Sequence, residues 1–323
     1  MVTRRCVMVS LALLPAGCSC TPPAAAPSPP PSPSPVPVAP APPPGSPFTG
    51  MPFDPAAPVL AVKIDNDVRA RPQAGLTQAD LVYVEPVEGG ISRLLAVFQS
   101  RVPPEVGPVR SVRETDLQTL ANFGAPALAF SGEASALRPL VAQAPVVDVS
   151  ATARPAAYHR DYGRRRPHNL YATTAPLLPG AGPPRDIGFR FGAVPSGGRP
   201  LPVTSVRYSR TEIGVEWAPV EKRWVFTADG APLTAAEGGR PGAPTVVLQQ
   251  VAVRQTAIRD ASGTPSPFAE TVGQGAAVVL RDGLAFDARW SRPAPPDPTT
   301  FTGVDGAPLP FAFGPVWIVL VGG

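Results

Sequence analysis

Leu81-Val-Tyr-Val-Glu85-Pro-Val-Glu88-Gly-Gly90-Ile-Ser-Arg93-Leu-Leu-Ala-Val-Phe-Gln99 is the stretch that decides the fold. Its two runs, Leu81 to Glu85 and Ile91 to Gln99, are short and rich in β-branched and aromatic residues. The Gly89-Gly90 pair between them reads as the turn of an antiparallel hairpin. The strand period of two puts Leu81, Tyr83 and Glu85 on one face of the first run and Val82 and Val84 on the other. On the second run Leu94, Ala96 and Phe98 share one face, while Arg93 joins Leu95 and Val97 on the other. A charged residue therefore sits on an otherwise apolar face. Upstream, Val59 to Ile64 alternates Leu60, Val62 and Ile64 against Ala61 and Lys63, which adds another half-buried strand.

Working outward, Ser111-Val-Arg-Glu114 reads as a capping box that opens a helix. Leu117, Leu120 and Ala121 form its apolar side and Gly124 stops it. Ala127 to Phe130 and Val146 to Val149 read as short buried strands. Beyond a loop-rich stretch from Gly180 to Pro202, six strand candidates follow: Val203 to Tyr208, Val215 to Trp217, Trp224 to Thr227, Thr245 to Val253, Ala276 to Leu280 and Val316 to Val321. Strands and helices without regular alternation predict an α+β fold. In it, a mixed-sheet N-terminal part with flanking helices, residues 48–200, packs against a β-rich C-terminal part, residues 201–323.

The N-terminus has a different character. Arg4-Arg5, the apolar run from Cys6 to Ala16 and the small residues Ala16-Gly17 before Cys18 predict a lipoprotein-type signal peptide over residues 1–18, with Cys18 as the lipidation site. The run is shorter than the roughly twenty residues a membrane span needs. Pro15 stands where such signals usually carry a leucine-like residue, so plain secretory cleavage is the alternative. More than half of residues 22–47 are proline, which predicts a disordered tether over 19–47 that reaches up to roughly 80 Å. The expected location is extracytoplasmic, with the chain lipid-anchored to the cell membrane.

All three cysteines lie in the first twenty residues. Thiolate catalysis, disulfides and cysteine metal sites are thereby excluded from the rest. Removing Arg4 and Arg5 from the formal +4 leaves +2, too balanced for a nucleic-acid partner. With His159 and His168 as the only histidines, a three-histidine zinc site is impossible. No metal and no cofactor is expected.

Four polar groups stand out, each with a plain alternative. Asp65-Asn66-Asp67 at a strand end reads as a cation site or, more simply, an Asx turn. Glu85 and Glu88 read as an acid and base for glycosidic cleavage, or as a solvated turn or a salt bridge to Arg93. Arg110 and Arg113 bracket a helix start, where guanidinium forks would bind phosphate or carboxylate; the alternative is ion pairing with Glu114, Glu85 or Glu88. His168 and Asn169 follow the basic run Arg164 to Arg166; the imidazole is a general base or a core-capping group. A triad of Ser131, His168 and Asp148 has no motif behind it.

The runs Lys63-Ile-Asp-Asn66, Arg71-Pro-Gln-Ala-Gly-Leu76, Gln78-Ala-Asp80, Val87-Glu-Gly-Gly90, Gly107-Pro-Val-Arg-Ser-Val-Arg113 and Pro167-His-Asn169 continue into Trp290-Ser291, Asp305-Gly306 and Gly314 to Ile318. Together they resemble the YerB-like lipoproteins, a family of unknown function, over about Val59 to Val319. The resemblance implies an N-terminal α/β part and a β-rich C-terminal part in one compact unit. It implies no activity. This chain departs from the pattern at Val84 and Ser92, and Pro315-Val316 replaces a more polar pair.

Two functional expectations follow. In the first, Arg93, Arg110 and Arg113, helped by Asn66, Arg71 and Asn169, grip an anionic polymer or cell-wall ligand. In the second, a cell-wall or glycan hydrolase uses Glu88 as acid or base with His168 assisting.

Overall fold

The computed structural model describes residues 45–322. The expected signal peptide, Cys18 and all but the last three residues of the expected tether lie outside the described residues. Those last three belong to the folded part, where Ser46 and the adjoining Phe48 are buried.

Strands β1 (Leu60–Asp65), β2 (Leu81–Pro86) and β3 (Ser92–Phe98) form where alternation predicts them. β3 lies between β1 and β2 and is antiparallel to both. Gly89 and Gly90 close the hairpin at φ 74° and 71°, the left-handed region that a side chain disfavours. Both faces of the trio are covered, which is why the runs read as nearly continuous hydrophobic segments. Leu60, Val62, Ile64, Val82, Val84, Leu94, Ala96 and Phe98 enter one core; Ala61, Leu81, Tyr83, Leu95 and Val97 enter the other.

These strands belong to a large mixed sheet. On the β1 side the order continues through Ala127–Ala129 and Val147–Asp148, both parallel additions. On the β2 side the last strand, Val316–Gly322, pairs in parallel with both β2 and Thr245–Val251. Gly273–Arg281, Leu284–Arg292 and Thr300–Gly303 then complete the sheet as an antiparallel run. The two expected parts thus share one sheet: the C-terminal strand is inserted between β2 and the rest, where packing of one part against the other had been expected.

A smaller sheet of Val203–Arg207, Glu212–Ala218 and Arg223–Ala228, with two short edge strands, covers one face. Phe226 of this sheet stacks on Trp317 with ring centroids 3.9 Å apart. The opposite face takes helices α1 (Glu114–Leu120) and α2 (Arg138–Gln143). Strands dominate and the helices are few and short.

Three local expectations change. The N-cap is Arg113, whose backbone N–H donates to Asp116 Oδ2 at 2.6 Å, so the box lies two residues later than Ser111-Val-Arg-Glu114. Thr245 to Val253 divides into Thr245–Val251 and a new hairpin strand, Val253–Arg259, paired with Pro265–Ala269. Val147–Asp148 is an edge strand whose residues are not fully buried.

Candidate functional site

Residues opposite one another in a strand pair project to the same side. The registers Asp65↔Arg93 and Glu85↔Arg93 therefore place Asp65, Arg93 and Glu85 on one face, and Lys63 joins them two residues before Asp65. The apolar half of this face packs under α1; the charged half lies at the carboxyl ends of β1 and β2.

Lys63 is fully buried and pairs with Glu85 and, at 2.7 Å, with Asp116 Oδ1. Burial and the neighbouring Asp116 push the Glu85 carboxyl up to about 8 against the opposing pull of Lys63. One ammonium thus serves two carboxyl groups, which favours the protonated form of Glu85.

Arg113 reaches across to the hairpin turn and grips Glu88 with both arms of its fork, Nε to Oε1 at 2.6 Å and Nη2 to Oε2 at 2.7 Å. Ser266 Oγ donates to the same carboxylate. Burial would raise the Glu88 carboxyl, but the Arg113 fork and Ser266 hold it below its ordinary value. This is the opposite of the shift a general acid needs at neutral pH. The salt bridge to Arg93 weighed for Glu85 and Glu88 is absent; Lys63 and Arg113 take those places.

Asp65 is the partner of His168. His168 Nδ1 lies 2.7 Å from Asp65 Oδ2, and Arg110 Nε is 3.1 Å from the same oxygen without a hydrogen-bond alignment. Asp65 Oδ1 accepts from the Asp67 backbone N–H at 3.1 Å, so the Asx turn forms as well. The second imidazole nitrogen of His168 is buried with no partner. Asp148 caps the Ser150 N–H and is not part of this dyad.

Arg93 completes the cluster. Its side chain is 6 % exposed, and its one hydrogen bond goes to the Ser111 carbonyl at 3.3 Å. No ion pair to it occurs among the described residues. Burial, then the positive charges of Arg113 and Arg110, bring its pKa down to about 10, so it remains a cation at neutral pH. Beside the cluster, a cleft of about 330 Å³ opens between Ser111, Arg113 and Glu114 on one wall and Arg259, Asp260 and Ser266 on the other.

Three expected ligand residues are engaged elsewhere. Asn66 donates to Ser92 Oγ at 2.9 Å and accepts from Gln73 Nε2 at 3.0 Å, which satisfies both ends of its buried amide. Arg71 pairs with Asp229 at 2.9 Å and donates to the Asn66 and Ala228 carbonyls, tying β1 to the small sheet. Asn169 donates to the Asp161 and Arg164 carbonyls and accepts from Arg160. These contacts shape the chain around the cluster. Lys63, Asp116, Gln73, Ser92 and Ser266 were not among the expected site residues; Lys63 alone carried a local signal, as a lone charge on an alternating strand. Among the described residues, no group of three or more His, Asp or Glu side chains is set to hold a metal ion, and no helix is long and apolar enough to cross a membrane.

Residues 48–183 match the model described as the N-terminal domain, and residues 204–318 that described as the C-terminal domain, of "Protein of unknown function (DUF3048)". The "Putative lipoprotein YerB" of Bacillus subtilis (strain 168) is 54 % identical over 55 residues, a stretch covering 17 % of this chain and 17 % of that one. The crystal structure of the Bacillus subtilis YerB protein superposes with a TM-score of 0.70 at 22 % identity, over 86 % of this chain and 96 % of that chain. At that identity the likeness shows the fold alone. By both halves of its folded part, the chain belongs to the DUF3048 family and is a homologue of YerB.

Proposed function

We propose that this chain is an extracytoplasmic, lipid-anchored module that binds an anionic group of a cell-envelope polymer or cell-wall ligand. Arg93 carries the reading. A guanidinium buried beside two more, with no carboxylate of its own, is costly unless an anion completes it. Asp65 and Glu88 already answer Arg110 and Arg113, so the unanswered charge is that of Arg93. Bidentate capture of a carboxylate or phosphate is what such a fork does well. Ser111 links Arg93 to the cleft, since its carbonyl accepts from Arg93 and its residue lines the cleft wall.

The hydrolase alternative finds less support. Glu88 is clamped by Arg113, and His168 pairs with Asp65 instead of Glu88. Anchoring rests on the Cys18 signal pattern and on the relative YerB being named a putative lipoprotein.

The test is retention of the full chain on purified cell walls and on a soluble anionic polymer such as a poly(glycerol phosphate), with Arg93→Met beside the parent. The parent is expected to bind and Arg93→Met to lose most of that binding. Equal retention of both chains would sink the Arg93 reading.

A further inference from the structure

We propose that the loop over 160–166 is a docking surface for an anionic lipid membrane, separate from the Arg93 site and independent of it. The loop is built rather than loose. Asn169 Nδ2 holds the Asp161 and Arg164 carbonyls at 3.0 and 3.2 Å, and Asn169 Oδ1 accepts from Arg160 Nη1 at 2.8 Å. Arg164 then fastens the loop to its neighbour by donating to the Ala70 and Pro72 carbonyls, both at 3.0 Å.

What this scaffold displays is amphipathic. Tyr162 is 85 % exposed, and Val68, in the short helical turn Val68–Ala70 whose Ala70 carbonyl Arg164 holds, is 67 % exposed. Arg165 and Arg166 are exposed and have no ion pair among the described residues. The acids within these two segments are already engaged, Asp161 by Arg164 at 3.5 Å and Asp67 by Arg69 at 2.8 Å. The loop therefore presents two uncompensated guanidinium groups with a bare phenol, and the segment it is fastened to adds a bare valine.

Charge complementarity selects an anionic surface, and the apolar pair selects lipid over a wholly polar polymer. Tyrosine partitions to the headgroup level, with its ring towards the acyl chains and its hydroxyl towards water. Basic side chains held near an anionic leaflet each add attraction that falls off within a Debye length. Nothing in the cluster at Asp65, Arg93 and Glu88 needs these side chains, so they are free for a second task.

The experiment uses the full chain with Cys18→Ser, so that no lipid is attached, in vesicle flotation. Vesicles of phosphatidylcholine with and without phosphatidylglycerol are compared. Parent and Arg165→Ala/Arg166→Ala chains share the N-terminal apolar run, so their difference reads the loop alone. The parent is expected to float with the anionic vesicles, and each arginine lost is expected to weaken binding about fivefold. Tyr162→Ser should weaken it further at high salt, where the charge contribution is screened. Equal flotation of parent and double variant would overturn the proposal. So would displacement of the parent from the vesicles by soluble poly(glycerol phosphate), which would make a polymer the occupant. Because all three side chains are exposed, loss of fold is not expected, and matching tryptophan emission spectra check this. Cell-wall retention of the double variant, if unchanged, separates this surface from the Arg93 site.

Discussion

Arg93 and Asp65 stand directly opposite each other in the β1–β3 pair, yet their side chains form no ion pair. The Asp65 carboxylate is committed to His168 at 2.7 Å and Arg110 at 3.1 Å. An aspartate one strand away would be the obvious counter-ion of a buried arginine; here it has been diverted, and the guanidinium is left with a carbonyl.

That arrangement predicts an unusual pairing of effects for Arg93→Met. Replacing a buried charge that lacks a partner by an apolar side chain of similar length removes a desolvation cost, so stability should be unchanged or rise by about 1–2 kcal/mol. Binding of the anionic ligand should fall sharply in the same protein. Thermal unfolding with and without poly(glycerol phosphate) reads both. A variant that is strongly destabilised would show that Arg93 is structural and that its lack of a partner is misleading.

The Lys63, Glu85 and Asp116 cluster predicts a pH dependence with a defined sign. Glu85 has a folded pKa of about 8, above the 4.5 of the free side chain. Between those values the folded state holds a proton that the unfolded state has released, so stability falls as pH rises through this window and levels off above it. Glu85→Gln keeps the shape and removes the titration. The difference in Tm between parent and Glu85→Gln, followed from pH 5 to 9, should therefore shift in favour of the variant as pH rises. A difference that stays flat would mean that Glu85 is ionised throughout.

Glu88 and Arg113 should behave as a buried fork. Glu88→Ala leaves Arg113 desolvated beside Arg93 and Arg110, and is expected to cost about 3–5 kcal/mol in urea unfolding. Arg113→Met with Glu88→Gln should recover much of that loss, because no unanswered charge remains. If Glu88→Ala were harmless to stability while abolishing cleavage of peptidoglycan, Glu88 would be a catalytic acid after all.

Much of the sheet was legible because alternation is a local property: the faces of β1, β2 and β3 follow from neighbours two residues apart. The Asx turn at Asp65 was legible for the same reason. The partners of the charged residues were not. Lys63 finds Asp116 at a separation of 53 residues and Asp65 finds His168 at 103, and several acids of the right type lie nearer in sequence. The insertion of Val316–Gly322 beside β2 was equally hidden, since a buried apolar run fits any gap in a sheet. Asn66, Arg71 and Asn169 are polar residues within the runs that carry the family resemblance, yet each is spent on backbone carbonyls or neighbouring side chains.

Asn169 offers a direct test of that last distinction. Its amide makes three hydrogen bonds that close the loop from Asp161 to Arg164, and a buried network that loses its centre leaves several polar groups unanswered. Asn169→Ala should therefore cost about 2–3 kcal/mol, and it should loosen the loop before the rest of the domain unfolds. Arg164, Arg165 and Arg166 make that loosening measurable, because trypsin cuts after arginine and needs a locally open chain. Limited trypsin digestion should cleave the Asn169→Ala chain within 164–166 faster than the parent, with the uncleaved chain binding anionic polymer as the parent does. Binding that disappears while the loop stays resistant would instead make Asn169 a ligand contact.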